Sequence, residues 1–163
     1  MTTRWLTPDE LRAWTSFVAV VELLPRALET QLRRDSNLWH FEYYTLAMLS
    51  EVPGRTLRMT DLASRTNATL PRLSHVVSRL EARDLVRRTP CAEDRRAIDV
   101  ALTEAGWEAV RQAAPGHVMA VREAVLDALT PHQVQALGEI SAALLTRLDP
   151  NGAMTAPYRP PTP

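Results

Sequence analysis

The stretch from Leu85 to Gly106 constrains the fold of this chain more than any other segment. A β-prone run begins at Val86, and residues 97–102 (AIDVAL) alternate between apolar and small or acidic side chains, as a half-buried strand does. Charged and turn-forming residues separate the two runs, and Thr103 follows the second as a candidate helix cap. The pattern predicts an antiparallel β-hairpin with a charged tip that leads directly into a helix.

The tip of this hairpin carries Arg95 and Arg96 next to Glu93 and Asp94. Two guanidinium groups at a turn can contact a phosphate backbone or enter a narrow minor groove, where the negative potential attracts arginine. The alternative is a hairpin tip that is merely solvated, which is the usual role of an isolated charge cluster. The residues that precede the hairpin decide between these two interpretations.

A chain of 163 residues, 45% hydrophobic and 23% charged, is expected to fold as one globular unit. It has no apolar run of the roughly 20 residues that a membrane span needs, and its N-terminal residues MTTRWLTPDE contain no apolar signal core. We therefore expect a cytoplasmic, nucleoid-associated protein with no membrane partner. The single cysteine, Cys91, cannot form an intrachain disulfide, which suits a reducing compartment.

The formal net charge of zero hides an uneven distribution. Residues 55–96 contain ten arginines and five acids, a balance of +5, whereas residues 1–54 and 97–163 carry balances of −2 and −3. All 19 basic residues are arginine, whose planar fork of donors binds phosphate and guanine in a bidentate manner. A basic centre between acidic flanks is typical of a nucleic-acid-binding lobe on a separate scaffold.

Helix-start signals organise the rest of the chain. Thr7 with Glu10, and Thr130 with Gln133, match the capping-box pattern, each with proline at the first helical position. The first of these helices is expected to kink at Pro25. The other expected helices cover residues 41–51, a short segment capped by Thr60, residues 70–83 capped by Thr69, and a segment from Thr103 to Leu129 that is interrupted at Pro115 and Gly116.

Six helices and one hairpin predict a mainly α fold with a small β-hairpin, in which a winged helix-turn-helix is inserted in a helical scaffold. The winged lobe is assigned to residues 36–102, the helical dimerisation region to 7–35 and 103–148, and a proline-rich disordered tail to 149–163. The first and last helices carry longer apolar stripes than one small lobe can cover, so we expect them to pair with a second copy. Burial of both stripes within one chain is the alternative.

The helix over residues 70–83 has two distinct faces. Arg72, His75 and Arg79 fall within about 60° of one another, while apolar residues cover a separate face. In helix-turn-helix proteins the N-terminal half of such a helix contacts base edges. The candidates for base contacts are Thr69, Arg72, Ser74 and His75, with Arg79 a candidate for bases or phosphate. A solvated cationic face is the alternative, which the hairpin behind this helix disfavours.

Aromatic residues mark a second candidate site near the junction of the first two helices. Aromatic walls with a few polar groups suit a small aromatic ligand, although packing at a hinge is the alternative interpretation. The candidate pocket residues are Arg12, Trp14, Phe17, Trp39, His40, Tyr43 and Tyr44.

Enzyme chemistry is not expected. The chain has neither a phosphate-binding G-x-x-x-x-G-K-S/T loop nor a G-x-S-x-G elbow. Its four histidines show no i, i+4 pair and no cysteine partner at zinc spacing, so we expect neither a metal site nor a cofactor. Cys91 lies near Arg87 and Arg88, which favours a redox-responsive thiolate, but an inert thiol on the hairpin is the preferred interpretation.

Two segments resemble MarR-type transcriptional regulators. They are residues 57–88 (LRMTDLASRTNATLPRLSHVVSRLEARDLVRR) and 94–106 (DRRAIDVALTEAG). The second carries the family's wing pattern as Asp94, Arg96, Leu102, Thr103 and Gly106. Segments near both ends also resemble actinobacterial members, so the resemblance covers residues 6–148. Asp84 stands where most relatives have glycine, and His75 where many have arginine; aspartate tolerates a left-handed turn better than most residues.

The resemblance implies a two-fold homodimer whose winged lobes occupy successive major grooves of a palindromic DNA site. It implies that Arg96 enters the minor groove and that Asp94 holds this arginine in position. Arg95, beside it on the same tip, is our candidate for a phosphate contact. Family members bind small phenolic or aromatic acids near the helix junction and then bind DNA more weakly, which makes His40 or Arg12 the candidate partner for a carboxylate. Peroxide-sensing members carry their reactive cysteine in the first helix, where this chain has none.

We therefore expect a sequence-specific DNA-binding transcriptional regulator that acts as a homodimer. The expected mode of action is repression at an inverted repeat, with release by a small aromatic or phenolic ligand. The rival hypothesis is a winged-helix protein-interaction module that does not bind DNA. Such a module has no need for Arg72, Arg79 and Arg96 on outward faces, which favours the regulator.

Overall fold

The computed structural model describes residues 2–92, 94 and 96–154. In chain order, helices come first and last, and the strands lie between them. The helices and strands are α1 (Pro8–Ser36), α2 (His40–Ser50), β1 (Thr56–Arg58), α3 (Met59–Arg65), α4 (Leu70–Glu81), β2 (Val86–Pro90), β3 (Ile98–Leu102), α5 (Glu104–Ala124) and α6 (Pro131–Leu148). Short 3₁₀ turns over Pro53–Arg55 and Leu126–Ala128 precede β1 and α6. The mainly α fold with a small β-hairpin is confirmed.

Most of the predicted helix starts are confirmed by their hydrogen bonds. The Thr7 hydroxyl accepts the Glu10 N–H, and the Glu10 carboxylate accepts the Thr7 N–H, which completes a capping box. Thr130 and Gln133 form the same arrangement at α6. The prediction that Thr60 caps the third helix is wrong. Helix α3 already begins at Met59 because strand β1 ends there, and its N-cap makes no side-chain hydrogen bond.

The β-sheet has three antiparallel strands in the order β1-β3-β2. The predicted hairpin is formed by β2 and β3, and we call these strands and their connecting turn the wing. Strand β1 was not predicted, because three residues are too short to show an alternating pattern. Leu57 of β1 and Arg88 of β2 both lie opposite Val100 of β3. Strand β3 therefore pairs on one side with β2 and on the other with β1, the strand just before α3.

Helix α5 runs continuously from Glu104 to Ala124, with Pro115 inside it, and the kink expected at Pro115 and Gly116 stays a prediction. A proline inside a helix removes one hydrogen bond at a cost of about 3 kcal/mol. Packing offsets that cost here, because α5 buries Val110 and Ala113 against the rest of the molecule. The helix also ends before the expected limit of Leu129. Helix α1 likewise continues past Pro25, and the kink expected there stays a prediction.

The junction between the wing and α5 is closely packed around Gly106. A Cβ at this position would lie 2.0 Å from the carbonyl oxygen of Leu85 and 2.7 Å from Leu102 Cδ1. The Thr103 hydroxyl accepts the Gly106 N–H at 3.0 Å and donates to the Asp84 carbonyl at 2.6 Å. Asp84 has a φ of 56°, so α4 ends at Glu81 rather than at the predicted Arg83. The end of α4, the wing and the start of α5 are therefore fixed to one another.

The hydrophobic core lies between α2, α3, α4, the sheet and the adjoining parts of α1 and α5. Its largest fully buried apolar side chains are Leu32, Leu38, Leu46, Leu49, Leu62, Leu73, Leu80, Val77, Val86 and Val100. This core holds the wing and helices α2 to α4 in a single lobe.

The apolar faces of α1 and α6 lie largely outside this core. Trp14 is 55% exposed and Leu148 is 79% exposed, and none of the residues of α6 is buried. In α1 only the last third contributes buried residues. The large exposed apolar residues of these two helices are Leu11, Trp14, Phe17, Val20, Val21, Leu23, Val134, Leu137, Ile140, Leu144 and Leu148. Burial of both stripes within one chain is therefore not what the structure contains.

The predicted tail begins with a turn. The carboxylate of Asp149 accepts the backbone N–H groups of Ala153 and Met154, both at 2.9 Å. The rest of that tail, residues 155–163, lies outside the described residues.

Candidate nucleic-acid interface

Helix α4 separates an apolar face from a polar one, as its spacing predicts. Leu73, Val77 and Leu80 are fully buried, while Arg72 and His75 are exposed on the other side. The helix begins at Thr69, whose hydroxyl accepts the Arg72 N–H at 3.4 Å. The buried face fixes the rotation of α4 in the lobe, so the opposite face points to solvent.

The N-terminal half of α4 carries all four candidates for base contacts. The guanidinium of Arg72 lies 4.3 Å from the centre of the Phe41 ring, a cation–π contact that orients this side chain. His75 lies one turn further along and is exposed, as is the capping residue Thr69. Ser74 is half-buried and faces the wing across a cleft. The geometry places these four side chains at one end of the helix.

Glu42 connects α2 to two arginines of the α4 region, and sequence reasoning missed it as a site residue. Glu42 is 2% exposed and lies in the first turn of α2. Its carboxylate accepts the Trp39 N–H at 3.0 Å, the Arg79 Nε–H at 3.1 Å and an Arg83 Nη1–H at 3.4 Å, with a second contact from Arg79 Nη2. Arg83 also donates to the carbonyl of Asn37. A buried carboxylate is thus paired with two cations, which its burial requires.

This arrangement changes how Arg79 is interpreted. Arg79 lies on the polar face of α4, but its Nε and Nη2 atoms are directed at Glu42. Its side chain is 43% exposed, which leaves part of the guanidinium facing solvent. A glutamate three residues past a helix start looks like an ordinary capping residue, and its arginine partners lie 37 and 41 residues away. No local pattern in the sequence indicates such a pairing.

The wing is tied to α4 by a second ion pair. Arg88 of β2 donates to the Glu81 carboxylate through its backbone N–H at 2.9 Å, through Nε at 2.9 Å and through Nη2 at 2.6 Å. These hydrogen bonds lower the pKa of Glu81 and so favour its charged form. The wing therefore has a defined position relative to helix α4.

The tip of the wing holds Asp94 and Arg96 close together. One Asp94 carboxylate oxygen accepts the Arg96 backbone N–H at 3.0 Å, and the Asp94 carbonyl accepts the Ala97 N–H at 2.9 Å. Asp94 thus orders the turn from which the exposed Arg96 side chain projects. The candidate Arg95 lies outside the described residues.

Three arginines from different elements line one cleft between α4 and the wing. Arg58 is the last residue of β1, Arg88 lies on β2 and Arg96 lies at the wing tip. The cleft has a volume of about 330 Å³ and includes the hydroxyl-bearing residues Thr60 and Ser74. Donors of this kind around one concave surface suit a phosphate group.

Cys91 is buried at the base of the wing. Its sulfur accepts a hydrogen bond from Arg58 Nη2 at 3.4 Å, and its backbone N–H donates to the Ala97 carbonyl at 2.9 Å. The backbone of Cys91 therefore helps to close the wing turn, and its sulfur contacts Arg58.

The residues of the second candidate site do not lie together in one chain. Arg12, Trp14 and Phe17 lie on the exposed N-terminal part of α1, where Arg12 pairs with Asp9. Trp39 is exposed, with the Arg33 guanidinium 4.1 Å from its ring centre.

Only two of the seven candidates, Tyr43 and Tyr44, line a cavity between α2 and α5. His40 lies nearby, with its ring centre 6.4 Å from that of His117. Burial lowers the pKa of both histidines.

None of the helices in the described part of the chain is both long and apolar enough to cross a membrane. Within the same residues, we find no group of three His, Cys, Asp or Glu side chains placed to hold a metal ion.

Taken together, the lobe and its flanking helices define a winged helix-turn-helix protein of the regulator class. A family model for the MarR family matches residues 38–97. The chain is 45% identical to Sco3205, a MarR family transcriptional regulator from Streptomyces coelicolor whose crystal structure is a complex with DNA. That match covers 91% of this chain and 92% of Sco3205, with a TM-score of 0.86.

A second regulator, AbsC from Streptomyces coelicolor, is 40% identical over 90% of this chain and 98% of its own, with a TM-score of 0.84. Wild-type MarR from E. coli is 18% identical over 88% of this chain and 99% of its own, with a TM-score of 0.65, which shows the fold alone. The chain belongs to the MarR family and is a transcriptional regulator, not an enzyme.

Proposed function

We propose that this protein binds a specific palindromic DNA operator as a homodimer and represses transcription there, in the cytoplasm at the nucleoid. The observation that carries the proposal is the cleft that the N-terminal half of α4 and the arginines of the wing line together, beside the exposed polar face of α4. Helix α4 contributes Ser74 to this cleft and exposes Arg72 and His75, and the wing contributes Arg96. The DNA complex of the relative Sco3205 supports the same assignment.

In this proposal, the N-terminal half of α4 enters the major groove. Arg72 and His75 contact base edges, with Thr69 and Ser74 beside them; arginine suits the O6 and N7 atoms of guanine. Arg79, held by Glu42, contacts the phosphate backbone with the exposed part of its guanidinium.

The wing contacts the neighbouring minor groove in the same proposal. Arg96 enters the groove from a turn that Asp94 orders, and Arg95 contacts phosphate. The cleft of Arg58, Arg88 and Arg96 takes a backbone phosphate between the two grooves.

The homodimer is proposed to form through the exposed apolar faces of α1 and α6. An exposed apolar surface of this extent is unusual on a monomer. Its burial stabilises by about 25 cal/mol per Å². The proposed dimerisation region is residues 7–35 and 103–148, and the proposed DNA-binding lobe is residues 36–102. A two-fold dimer places two α4 helices about one turn of DNA apart, which matches a palindromic site.

Selection of genomic DNA fragments by the purified protein tests the proposal. We expect one enriched inverted repeat, with half-site centres about 10 base pairs apart, in front of a gene whose transcription rises when the regulator is deleted. Fragments recovered without a shared motif would contradict sequence-specific binding. A drop in transcription on deletion would contradict repression while leaving DNA binding intact.

We also propose that a small aromatic ligand weakens this DNA binding. Tyr43 and Tyr44 supply two aromatic walls of the cavity between α2 and α5. Helix α2 also carries Glu42, which bonds to two arginines of the α4 region. A ligand that moves α2 relative to α5 therefore acts on the position of α4.

A further inference from the structure

The cavity between α2 and α5 is mostly apolar and large enough for a small organic molecule. Its volume is about 410 Å³. The rings of Tyr43 and His117 contact each other along one side, with centres 4.6 Å apart and planes inclined by 52°. The apolar residues that line it are Ala47, Met48, Val118, Val121 and Leu126. Such a cavity favours a ligand with an aromatic or alkyl body.

Two polar atoms of residues that line this cavity are buried without a hydrogen-bond partner among the described residues. They are Oε1 of Glu51 and Nδ1 of His117. A buried polar group without a hydrogen-bond partner destabilises the structure, so a ligand that donates a hydrogen bond to these atoms gains affinity from them. Burial also raises the pKa of Glu51 and, together with His40, lowers the pKa of His117. A neutral His117 can accept a hydrogen bond, as can the carboxylate of Glu51.

The charges around the cavity favour a positively charged ligand. Among the described residues, the arginine that lines it is Arg122, whose Nη2 donates to Asp127 at 2.7 Å. Arg65 acts on Glu51 electrostatically without reaching the Oε1 atom. The Tyr44 hydroxyl donates to the Arg65 carbonyl, so it is not a free donor for a ligand carboxylate. An aromatic acid in this cavity would place its negative charge near Glu51.

We propose that this cavity binds a small aromatic amine or amidine, whose cationic group donates to Glu51 and whose ring lies against Tyr43 and His117. The proposal reverses the charge expected from the resemblance, which implied a phenolic or aromatic acid. It rests on the proposed function only in its consequence, that the bound cation weakens binding to the operator. The binding site itself is defined by residues remote from the DNA-binding face.

Two phenols of matched shape and opposite charge test the ligand class. Tyramine carries an ammonium group where 4-hydroxyphenylacetate carries a carboxylate. Both are titrated at millimolar concentrations into the full-length protein without DNA, with NMR line broadening and calorimetry as readouts. We expect tyramine to bind and 4-hydroxyphenylacetate to bind about tenfold more weakly or not at all, a difference of about 1.4 kcal/mol or more. Equal binding, preference for the acid, or no binding of tyramine would overturn the proposal.

The variant Glu51→Gln tests whether tyramine binds in the cavity between α2 and α5. This variant keeps the side-chain size and removes the charge, and we expect it to weaken tyramine binding about tenfold. Glu108→Gln, the same change on the outer surface of α5, is the matched control and leaves tyramine binding unchanged. Unchanged affinity in Glu51→Gln would place the amine elsewhere and overturn the assignment. If that variant fails to fold, the comparison of the two phenols on the unaltered protein still decides the ligand class.

The outcome for the ligand site is separable from the outcome for the proposed function. Operator binding without ligand is measured on the same protein by fluorescence anisotropy. Tyramine binding with no specific DNA binding would contradict the proposed function but support the cation site. Specific DNA binding with no tyramine binding would support the proposed function but contradict the cation site. Tyramine binding that leaves operator affinity unchanged would overturn the regulatory consequence alone.

Discussion

At the residue scale, Gly106 shows why the end of the wing tolerates so little change. Its Cα lies so close to the Leu85 carbonyl that any side chain must displace backbone. Backbone at this point also carries the Thr103 contacts that connect α5 to the end of α4. The glycine is required here by close approach, since its φ is not in the left-handed region.

Gly106→Ala should therefore lower the free energy of unfolding by about 1–3 kcal/mol, the usual cost of overpacking. The measurement is the midpoint of urea denaturation followed by circular dichroism. Ala105→Ser, at the exposed neighbouring position of α5, is the control and should change stability by less than about 0.5 kcal/mol. Equal stability of Gly106→Ala and the parent would show that the junction is looser than these distances imply.

Glu42 is the second residue on which the lobe depends. Glu42→Gln keeps the acceptor for the Trp39 N–H but leaves Arg79 and Arg83 without their anionic partner. We expect the free energy of unfolding to fall by about 1–2 kcal/mol, less than for a fully buried pair because both arginines are partly exposed. Urea denaturation checks this, with Glu108→Gln as the control. No loss of stability would contradict the role of Glu42 as the link between α2 and α4.

At the element scale, we expect α4 to determine base preference and the wing to add affinity for all DNA sequences. Arg72→Ala should relax the base preference at one position of each half-site, a loss of about 1–3 kcal/mol in discrimination. Arg96→Ala should weaken binding to all sequences and lower the salt dependence by about one phosphate contact. Fluorescence anisotropy over a series of salt concentrations and operator variants measures both effects.

The control for these variants is Arg111→Ala, which removes the same charge from the exposed side of α5. It should leave base preference and salt slope as in the parent. Parental binding by both Arg72→Ala and Arg96→Ala at matched salt would show that these faces do not contact DNA.

The elements differ in how far the sequence could predict them. The starts of α1, α4, α5 and α6 were predictable, because a capping threonine and its partner lie three residues apart. Strand β1 was not, because it is stabilised by pairing with the distant strand β3. The continuous α5 was not either, because packing against α1 outweighs the local effect of Pro115.

The same distinction holds for the candidate site. Arg72 and His75 could be assigned to one face from helical spacing alone. The pairing of Arg79 with Glu42 and the convergence of Arg58 with the wing could not, since each depends on contacts between remote segments. The cavity residues Glu51 and His117 were missed for the same reason.

At the scale of the whole molecule, the exposed apolar faces of α1 and α6 predict a dimer. Leu144→Asp places a charge on the apolar face of α6 without altering a buried residue of the chain. We expect sedimentation velocity to show a shift from dimer to monomer, because burying an unpaired charge is costly. Thr146→Asp adds the same charge on the opposite side of α6 and should leave the dimer intact. A Leu144→Asp variant that sediments as the parent does would place the interface elsewhere.

The central claim is that two copies of this chain bind one palindromic operator through α4 and the wing. Hydroxyl-radical footprinting of the selected operator tests it most directly. The predicted result is protection related by two-fold symmetry, with the two half-site centres about one helical turn, or 10 base pairs, apart on one face of the duplex. A single asymmetric patch, or uniform protection without a fixed boundary, would contradict the claim.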